Sequence, residues 1–116
     1  MQPTLKLDRT TILGRLGGDE ELLGTMADMY LQEYENYCQG LRAAVQSGDA
    51  KLLQREAHTL KSLMATFADE PGSALALEIQ MQAESGQLAG VEAKAEALEA
   101  AIRRMAAILE AEFRAG

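Results

Sequence analysis

The sequence predicts an all-α protein, an up-down antiparallel four-helix bundle with a short additional N-terminal helix. Alanine, leucine and glutamate favour helix throughout the 116 residues, and no segment has the pattern of a strand. Apolar residues recur at spacings of three and four, and the connections between these segments are short, which makes neighbouring helices antiparallel. The length suits one domain, so we expect residues 1–116 to form a single helical domain.

The first two helices are delimited by glycine and aspartate. A short helical pattern spans residues 8–15, and Gly17-Gly18 closes it. Asp19 is a typical N-cap for the long second helix, which we expect to end at Ser47-Gly48. The apolar stripe of this second helix consists of Leu23, Met26, Tyr30, Tyr34, Tyr37, Leu41 and Ala44.

A proline separates the third helix from the fourth. Asp49 can cap the third helix, and Glu70-Pro71-Gly72 is expected to break it. The residue before a proline resists helical geometry, and proline suits the first turn of a helix. The predicted core side chains of the third helix are Leu52, Leu53, Leu60, Leu63, Met64 and Phe67.

The last two helices follow the same periodicity. The fourth is expected to stop near Ser85-Gly86, and its apolar side chains are Leu75, Ile79 and Met81. The fifth runs from about Leu88 to Arg114 and has the most regular stripe in the chain. That stripe consists of Val91, Ala95, Leu98, Ile102, Met105, Leu109 and Phe113.

Charge and composition exclude several classes of function. The chain has 11 Lys plus Arg against 18 Asp plus Glu, a net charge of −7, which argues against binding to nucleic acid or to an anionic membrane surface. No apolar run approaches the length of a membrane span, and the first residues do not resemble a signal peptide. Cys38 is the only cysteine and cannot form an internal disulfide, so we expect a reducing, cytoplasmic location.

His58, the only histidine, is predicted to point at solvent from the third helix. With about 100° of rotation per residue, the core side chains of this helix fall on its opposite half. The face around His58 carries three cations and small or polar neighbours: Lys51, Gln54, Arg55, Lys61, Ser62 and Ala65. A cation beside an exposed imidazole suits an anion that another macromolecule presents. The alternative is an ordinary surface histidine without a task.

Other kinds of site are not indicated by the sequence. One histidine and one cysteine on different helices do not make a zinc ligand set, and neither His-x-x-x-His nor Cys-x-x-Cys occurs. No Gly-x-Ser-x-Gly nucleophile motif is present. The glycine-rich residues 14–18 lack the Lys-Ser/Thr ending and the preceding strand of a phosphate-binding loop.

Three segments resemble a known family. Ala57-His58-Thr59-Leu60-Lys61-Ser62 resembles the phosphoacceptor motif Ala-His-x-Leu-Lys-Gly of histidine-containing phosphotransfer (HPt) domains of two-component phosphorelays. Residues 16–23 are similar to the helix entry of this family, in its hybrid-sensor-kinase type, and residues 41–49 to the turn before its histidine helix. The resemblance covers nearly the whole chain and is weakest over the last helix.

This resemblance implies roles for three side chains. His58 would be the phosphoacceptor, which takes a phosphoryl group on its outer ring nitrogen from a receiver-domain aspartyl phosphate and passes it to another receiver. Lys61 would neutralise phosphoryl charge. Gln80, twenty-two residues beyond the histidine, would hold the other ring nitrogen, as a glutamine or glutamate does in some members. The alternatives are that Lys61 is an ordinary solvated lysine and that Gln80 is a surface glutamine.

Two departures from the family pattern lie near this motif. Ser62 replaces a glycine after the motif lysine, and Ala68 replaces a glycine ten residues after the histidine. Both replacements are small and leave the site open, although they could narrow the set of partners. The side chains expected to meet a partner are Ser62, Ala65 and Arg55, together with an exposed apolar patch on the first helix. That patch would consist of Ile12, Leu13 and Leu16, which alternatively cap one end of the core.

The resulting hypothesis is a phosphorelay carrier that is not an autonomous enzyme. An imidazole is largely neutral near neutral pH, and it is the only nucleophile that the domain must supply. No cofactor is expected, because any Mg²⁺ would belong to the partner receiver domain. The expected partners are response-regulator receivers and a hybrid sensor histidine kinase, with the chain itself monomeric.

The alternative function is a non-catalytic helical adaptor, or an HPt-like bundle that has lost transfer activity. The presence of both His58 and Lys61 favours the carrier. Whether the chain is a whole protein or a domain of a membrane-anchored hybrid kinase stays open at this point.

Overall fold

The computed structural model describes residues 7–113, which form five helices joined by short connections. The helices are α1 Arg9–Arg15, α2 Glu20–Ser47, α3 Ala50–Thr66, α4 Glu70–Glu84 and α5 Val91–Phe113. No strand occurs between residues 7 and 113. The predicted all-α fold is confirmed, and α5 begins three residues later than the sequence indicated. Its predicted end at Arg114 lies outside the described residues.

Aspartate side chains cap the first four helices. Asp8, Asp19, Asp49 and Asp69 each accept a hydrogen bond from a backbone N–H in the helical turn that follows. These bonds satisfy amide groups that have no partner within the helix. The caps at Asp19 and Asp49 are the ones that the sequence predicted, and they place the start of α2 and of α3.

The connection between α3 and α4 differs from the sequence prediction. The third helix stops at Thr66, Ala68 takes a left-handed φ of 60°, and Asp69 caps the next helix. Pro71 lies in the first turn of α4, where its missing N–H removes no helical hydrogen bond. The predicted break at residues 70–72 lies three residues too late, because residues 67–69 separate the two helices and residues 70–72 begin α4. The predicted preference of this proline for a first helical turn is confirmed.

The helices pack as a bundle in which α3 lies most extensively against α4, and α2 against α5. The α3–α4 pair can approach closely because α4 turns small residues inward, among them Gly72, Ala76 and Ala83. A Cβ atom added at Gly72 would lie 2.7 Å from a carboxylate oxygen of Asp69, the cap of the same helix. Glycine at this position therefore allows the cap and the close helix contact to coexist.

Tyr30 joins three helices at the centre of the core. Its side chain is 2% exposed, and its hydroxyl donates a hydrogen bond of 2.8 Å to the carbonyl oxygen of Ile102 on α5. The ring meets Phe67, at the end of α3, edge-on at 5.3 Å between centroids. Because the hydroxyl has a partner, the cost of burying it is offset.

Met81, one of the apolar side chains that the sequence gives to this helix, lies outside the core and is 58% exposed. The buried side of α4 is formed by Gly72, Ala76, Ile79 and Ala83, at spacings of four, three and four. Met81 is two residues from Ile79, about 200° round the helix, and so faces outward. In the part of the chain that the structure describes, no helix is long and apolar enough to cross a membrane.

Candidate functional site

His58 lies at the middle of α3, and its side chain is exposed as the sequence predicted. The buried residues of this helix are Leu53, Ala57, Leu60 and Met64, all on the side that faces the bundle. The imidazole therefore projects from a rigid helix that is packed on one side only. Another macromolecule can reach the ring without any rearrangement of the fold.

Gln80 on α4 contacts the inner ring nitrogen of His58. The distance from its side-chain Oε1 to Nδ1 of His58 is 3.3 Å. The two residues are 22 apart in sequence, and the close packing of α3 against α4 brings them together. The contact leaves Nε2, the outer nitrogen, facing away from Gln80.

A carboxylate that the sequence analysis did not single out continues this contact. The side-chain nitrogen of Gln80 donates to Oε1 of Glu84 at 3.0 Å, and the side-chain nitrogen of Gln54 donates to the same oxygen at 3.3 Å. Gln54 lies one turn before His58 on α3, and Glu84 one turn after Gln80 on α4. The only sequence signal for Glu84 is its spacing of four from Gln80.

Lys61 follows His58 by one turn and has an ammonium group without a carboxylate partner among residues 7–113. Lys51 and Arg55, on the same face, are likewise unpaired within the described range. Most of the other described cations are paired with a glutamate: Arg9, Arg15, Arg42, Lys94 and Arg103. The face around His58 is thus locally positive in a chain of net charge −7.

A shallow depression opens beside the imidazole. It is lined by Lys51, Gln54, Arg55, His58 and Gln80. Two of its lining residues are cations without a carboxylate partner among residues 7–113, so the depression is suited to a negatively charged group.

Ser62 and Ala65 lie further along the same face of α3. Ser62 is exposed, whereas Ala65 is half-buried. The guanidinium of Arg15 donates a hydrogen bond to the carbonyl oxygen of Ala65 and lies 3.5 Å from a carboxylate oxygen of Glu70. Arg15, which the sequence analysis did not single out, therefore fastens the end of α1 beside the C-terminal half of α3.

The predicted apolar docking patch on α1 is wrong at Ile12, which is fully buried at 0% exposure. Leu13 and Leu16 are half-buried and pack against the core. For Ile12, the alternative interpretation is correct: its side chain closes one end of the core. The orientation of this seven-residue helix is determined by its tertiary contacts, which its own sequence does not specify.

Exposed apolar side chains occur instead on α4, beside Gln80. Leu77 is 40% exposed and Met81 is 58% exposed, one turn apart on the outer side of the helix. Together with Gln80 and Glu84 they follow the spacing of one helical face. The site thus combines an imidazole, unpaired cations and a small apolar surface on two adjacent helices.

The remaining nucleophilic and metal-binding side chains do not form a second site. Cys38 is 1% exposed, and burial raises the pKa of its thiol, which keeps the sulfur protonated and unreactive. Within residues 7–113, no group of three or more His, Cys, Asp or Glu side chains could hold a metal ion.

Comparisons with known proteins identify the family. The Hpt domain model matches residues 25–109, which is more than half of the chain and includes His58, Lys61 and Gln80. The crystal structure of histidine-containing phosphotransfer protein B from Pseudomonas aeruginosa PAO1 is similar in fold, with a TM-score of 0.84 over 98% of this chain and 99% of that one. The two sequences are 21% identical. No curated protein matches the chain significantly.

Proposed function

The chain belongs to the Hpt domain family, and we propose that it carries a phosphoryl group between receiver domains of a phosphorelay on Nε2 of His58. The observation that supports this most directly is the exposed imidazole, whose inner nitrogen contacts Gln80 at 3.3 Å while its outer nitrogen is open to a partner. The family carries phosphoryl groups in two-component systems. The choice of acceptor atom and the roles of individual side chains belong to the proposal.

The proposed step is a transfer from an acyl phosphate to the imidazole. The lone pair on Nε2 attacks phosphorus, a P–N bond forms, and the bond from phosphorus to the aspartate oxygen breaks. The electron pair of that bond leaves with the carboxylate. The positive charge that develops on the ring is shared with the Nδ1–H group, which faces the carbonyl oxygen of Gln80. Transfer to a second receiver is the same step in reverse.

The unpaired cations supply the electrostatic part of the proposal. A transferring phosphoryl group spreads negative charge over its three equatorial oxygens, and a nearby ammonium stabilises that charge. Lys61 is one turn from the imidazole, and no described carboxylate competes for its charge. Lys51 and Arg55 would attract the acidic site of an approaching receiver.

The domain is proposed to supply the nucleophile, the positive charge of Lys61 and a complementary surface. Any Mg²⁺, the acceptor carboxylate and the groups that orient the phosphoryl group would come from the receiver, so the isolated chain should not turn over a substrate. Response-regulator receivers are the proposed partners, and a hybrid sensor histidine kinase is the proposed source of the phosphoryl group. On this basis we propose a cytoplasmic location and a monomeric state.

The proposal is tested by incubating the protein with receivers charged by a small-molecule phosphodonor. We expect a label on the protein that is lost in acid and retained in base, as expected for a phosphoramidate, and a matching mass increase. His58→Gln should remove the label while changing the free energy of unfolding by only a few tenths of a kcal/mol, since the side chain is exposed.

An unlabelled wild-type protein that still binds receivers would favour the adaptor function. Label that persists in a folded His58→Gln variant would contradict the assignment of the acceptor.

A further inference from the structure

The amide of Gln80 has two chemically different ends, and Glu84 determines which end faces which neighbour. Glu84 Oε1 accepts a hydrogen bond of 3.0 Å from the side-chain nitrogen of Gln80, while the side-chain oxygen of Gln80 faces Nδ1 of His58 at 3.3 Å. An ionised carboxylate can only accept hydrogen bonds. The nitrogen end of the amide must therefore face Glu84, which leaves the oxygen end for the histidine.

This orientation determines the tautomer of the ring. A carbonyl oxygen also only accepts, so Nδ1 of His58 must carry the proton for the two atoms to bond. The neutral ring then has its lone pair on Nε2, the nitrogen that is open to a partner. We propose that Glu84 is a positioning residue that keeps His58 in the nucleophilic tautomer through Gln80, an inference that rests on the proposed function.

Glu84 is itself held from the other helix. Gln54 on α3 donates to the same carboxylate oxygen at 3.3 Å, so this oxygen receives one amide from α3 and one from α4. The carboxylate is thereby fixed across the groove between the two helices. Two donors restrict its rotamers more than the single i, i+4 contact with Gln80 would, and a fixed acceptor gives Gln80 one preferred orientation.

Substitutions at position 84 should change the tautomer of the His58 ring. A lysine side chain only donates, so Glu84→Lys should attract the oxygen of Gln80 and turn the amide nitrogen toward His58. Nδ1 would then have to accept, and the proton would move to Nε2, where it blocks the attacking lone pair. Glu84→Ala removes the partner and leaves the amide free to adopt both orientations.

The tautomer can be read directly by ¹⁵N NMR of the full chain. His58 is the only histidine, so both ring-nitrogen signals belong to it, and their couplings to the ring C–H protons distinguish Nδ1 from Nε2. At a pH well above the titration range of imidazole, we expect the Nδ1–H form in the wild type, a mixture in Glu84→Ala and mainly the Nε2–H form in Glu84→Lys.

Glu78→Lys is the matched control. It makes the same charge change on α4, but Glu78 pairs with Lys94 at 3.7 Å and not with Gln80. The control should keep the wild-type tautomer, and circular dichroism should show that all variants are folded.

The transfer rate from a charged receiver separates this inference from the proposed function. We expect Glu84→Lys to slow transfer roughly 10- to 100-fold, the range typical of residues that orient a metal-ligating histidine. If Glu84→Lys keeps the wild-type tautomer, if Glu78→Lys changes it equally, or if the tautomer switches without slowing transfer, the positioning role is overturned. If instead the wild type accepts no phosphoryl group while the tautomer series behaves as expected, the proposed function fails and the control of the tautomer stands.

Discussion

The hydroxyl of Ser73 on α4 donates a hydrogen bond to the main-chain carbonyl oxygen of Lys61 on α3, at 3.1 Å. The contact ties the two helices together one turn beyond His58. It engages the backbone of Lys61 only, while the ammonium group has no ion-pair partner within residues 7–113. The position is therefore anchored through its main chain, and its charge can be removed without disturbing the seam between α3 and α4.

Lys61→Ala should consequently slow phosphoryl transfer without unfolding the protein. In the strongest cases, removal of one charge-stabilising group lowers a reaction rate by about 10²- to 10³-fold. We expect the transfer rate to fall by roughly 10- to 100-fold here, because the lysine is partly exposed. The measurement is the rate of transfer from a charged receiver. Arg104→Ala is the control, since Arg104 is an exposed and unpaired cation on α5 within the described range. Equal rates for the two variants would reduce Lys61 to an ordinary surface residue.

Stability should fall at alkaline pH because three weakly acidic side chains are buried or half-buried in the folded protein. Burial raises the pKa of the Tyr30 hydroxyl, and also that of the Tyr37 hydroxyl and the Cys38 thiol. A group whose pKa is raised on folding stabilises fully below its unfolded pKa, and this stability is lost as pH rises toward the folded pKa. The decline should therefore begin near the unfolded values, about 8.5 for cysteine and about 10 for tyrosine.

Tyr30→Phe isolates the largest of these contributions. At neutral pH it should lower the free energy of unfolding by about 1 kcal/mol, because the hydrogen bond to Ile102 is lost. Above about pH 10 its stability should fall less steeply than that of the wild type, by up to about 1.4 kcal/mol per pH unit. Denaturant unfolding across the alkaline range checks this. If the free energies of unfolding of the two proteins fall with the same slope above about pH 10, ionisation of Tyr30 does not contribute to the decline.

The sequence predicts best where local chemistry decides the structure. Asp19 and the glycine at position 48 delimit α2 correctly because a capping carboxylate and a left-handed glycine act within one turn. The exposure of His58 follows from the helical period alone. These features need no knowledge of how the helices pack.

The errors and omissions arise where tertiary packing decides. Ile12 sits on a helix too short to reveal which side it buries, and Met81 sits on α4, whose inward side is built from glycine and alanine and gives a weak apolar stripe. Glu84 was missed because its spacing of four from Gln80 is an ordinary pattern on a helix surface, and its contact with Gln54 depends on the register between α3 and α4. Nothing in the local sequence specifies that register.

Met81→Asp should weaken receiver binding while leaving the fold intact. Met81 is 58% exposed, next to Gln80 on the outer side of α4, where its apolar surface can meet a docked receiver. We expect a roughly tenfold lower affinity, about 1.4 kcal/mol, and a change in unfolding free energy within about 0.5 kcal/mol. Receiver affinity is measured by calorimetry.

Ala97→Asp is the control for Met81→Asp. It adds the same charge at an exposed position of α5, which packs against α2 and α4. If both variants lose the same affinity, the effect is one of net charge and Met81 does not contact the receiver.

Position 62 should control how closely a receiver can approach the imidazole. Ser62 is exposed, one turn after His58 and about 40° round the helix. A receiver must bring its aspartyl phosphate within bonding distance of Nε2, so a large side chain here should stand in its way. Ser62→Gly should transfer at least as fast as the wild type, at a helix cost of about 0.5 kcal/mol.

Larger side chains at position 62 complete this test. Ser62→Gln and Ser62→Tyr leave the helix and the charge of Lys61 in place. They should nevertheless reduce the transfer rate and the receiver affinity together, and tyrosine should have the larger effect. Both quantities are measured across the series glycine, serine, glutamine and tyrosine, with ¹⁵N NMR of His58 as the control that the ring and its contact with Gln80 are unchanged. A transfer rate that does not depend on the size of this side chain would mean that the receiver approaches His58 from another direction.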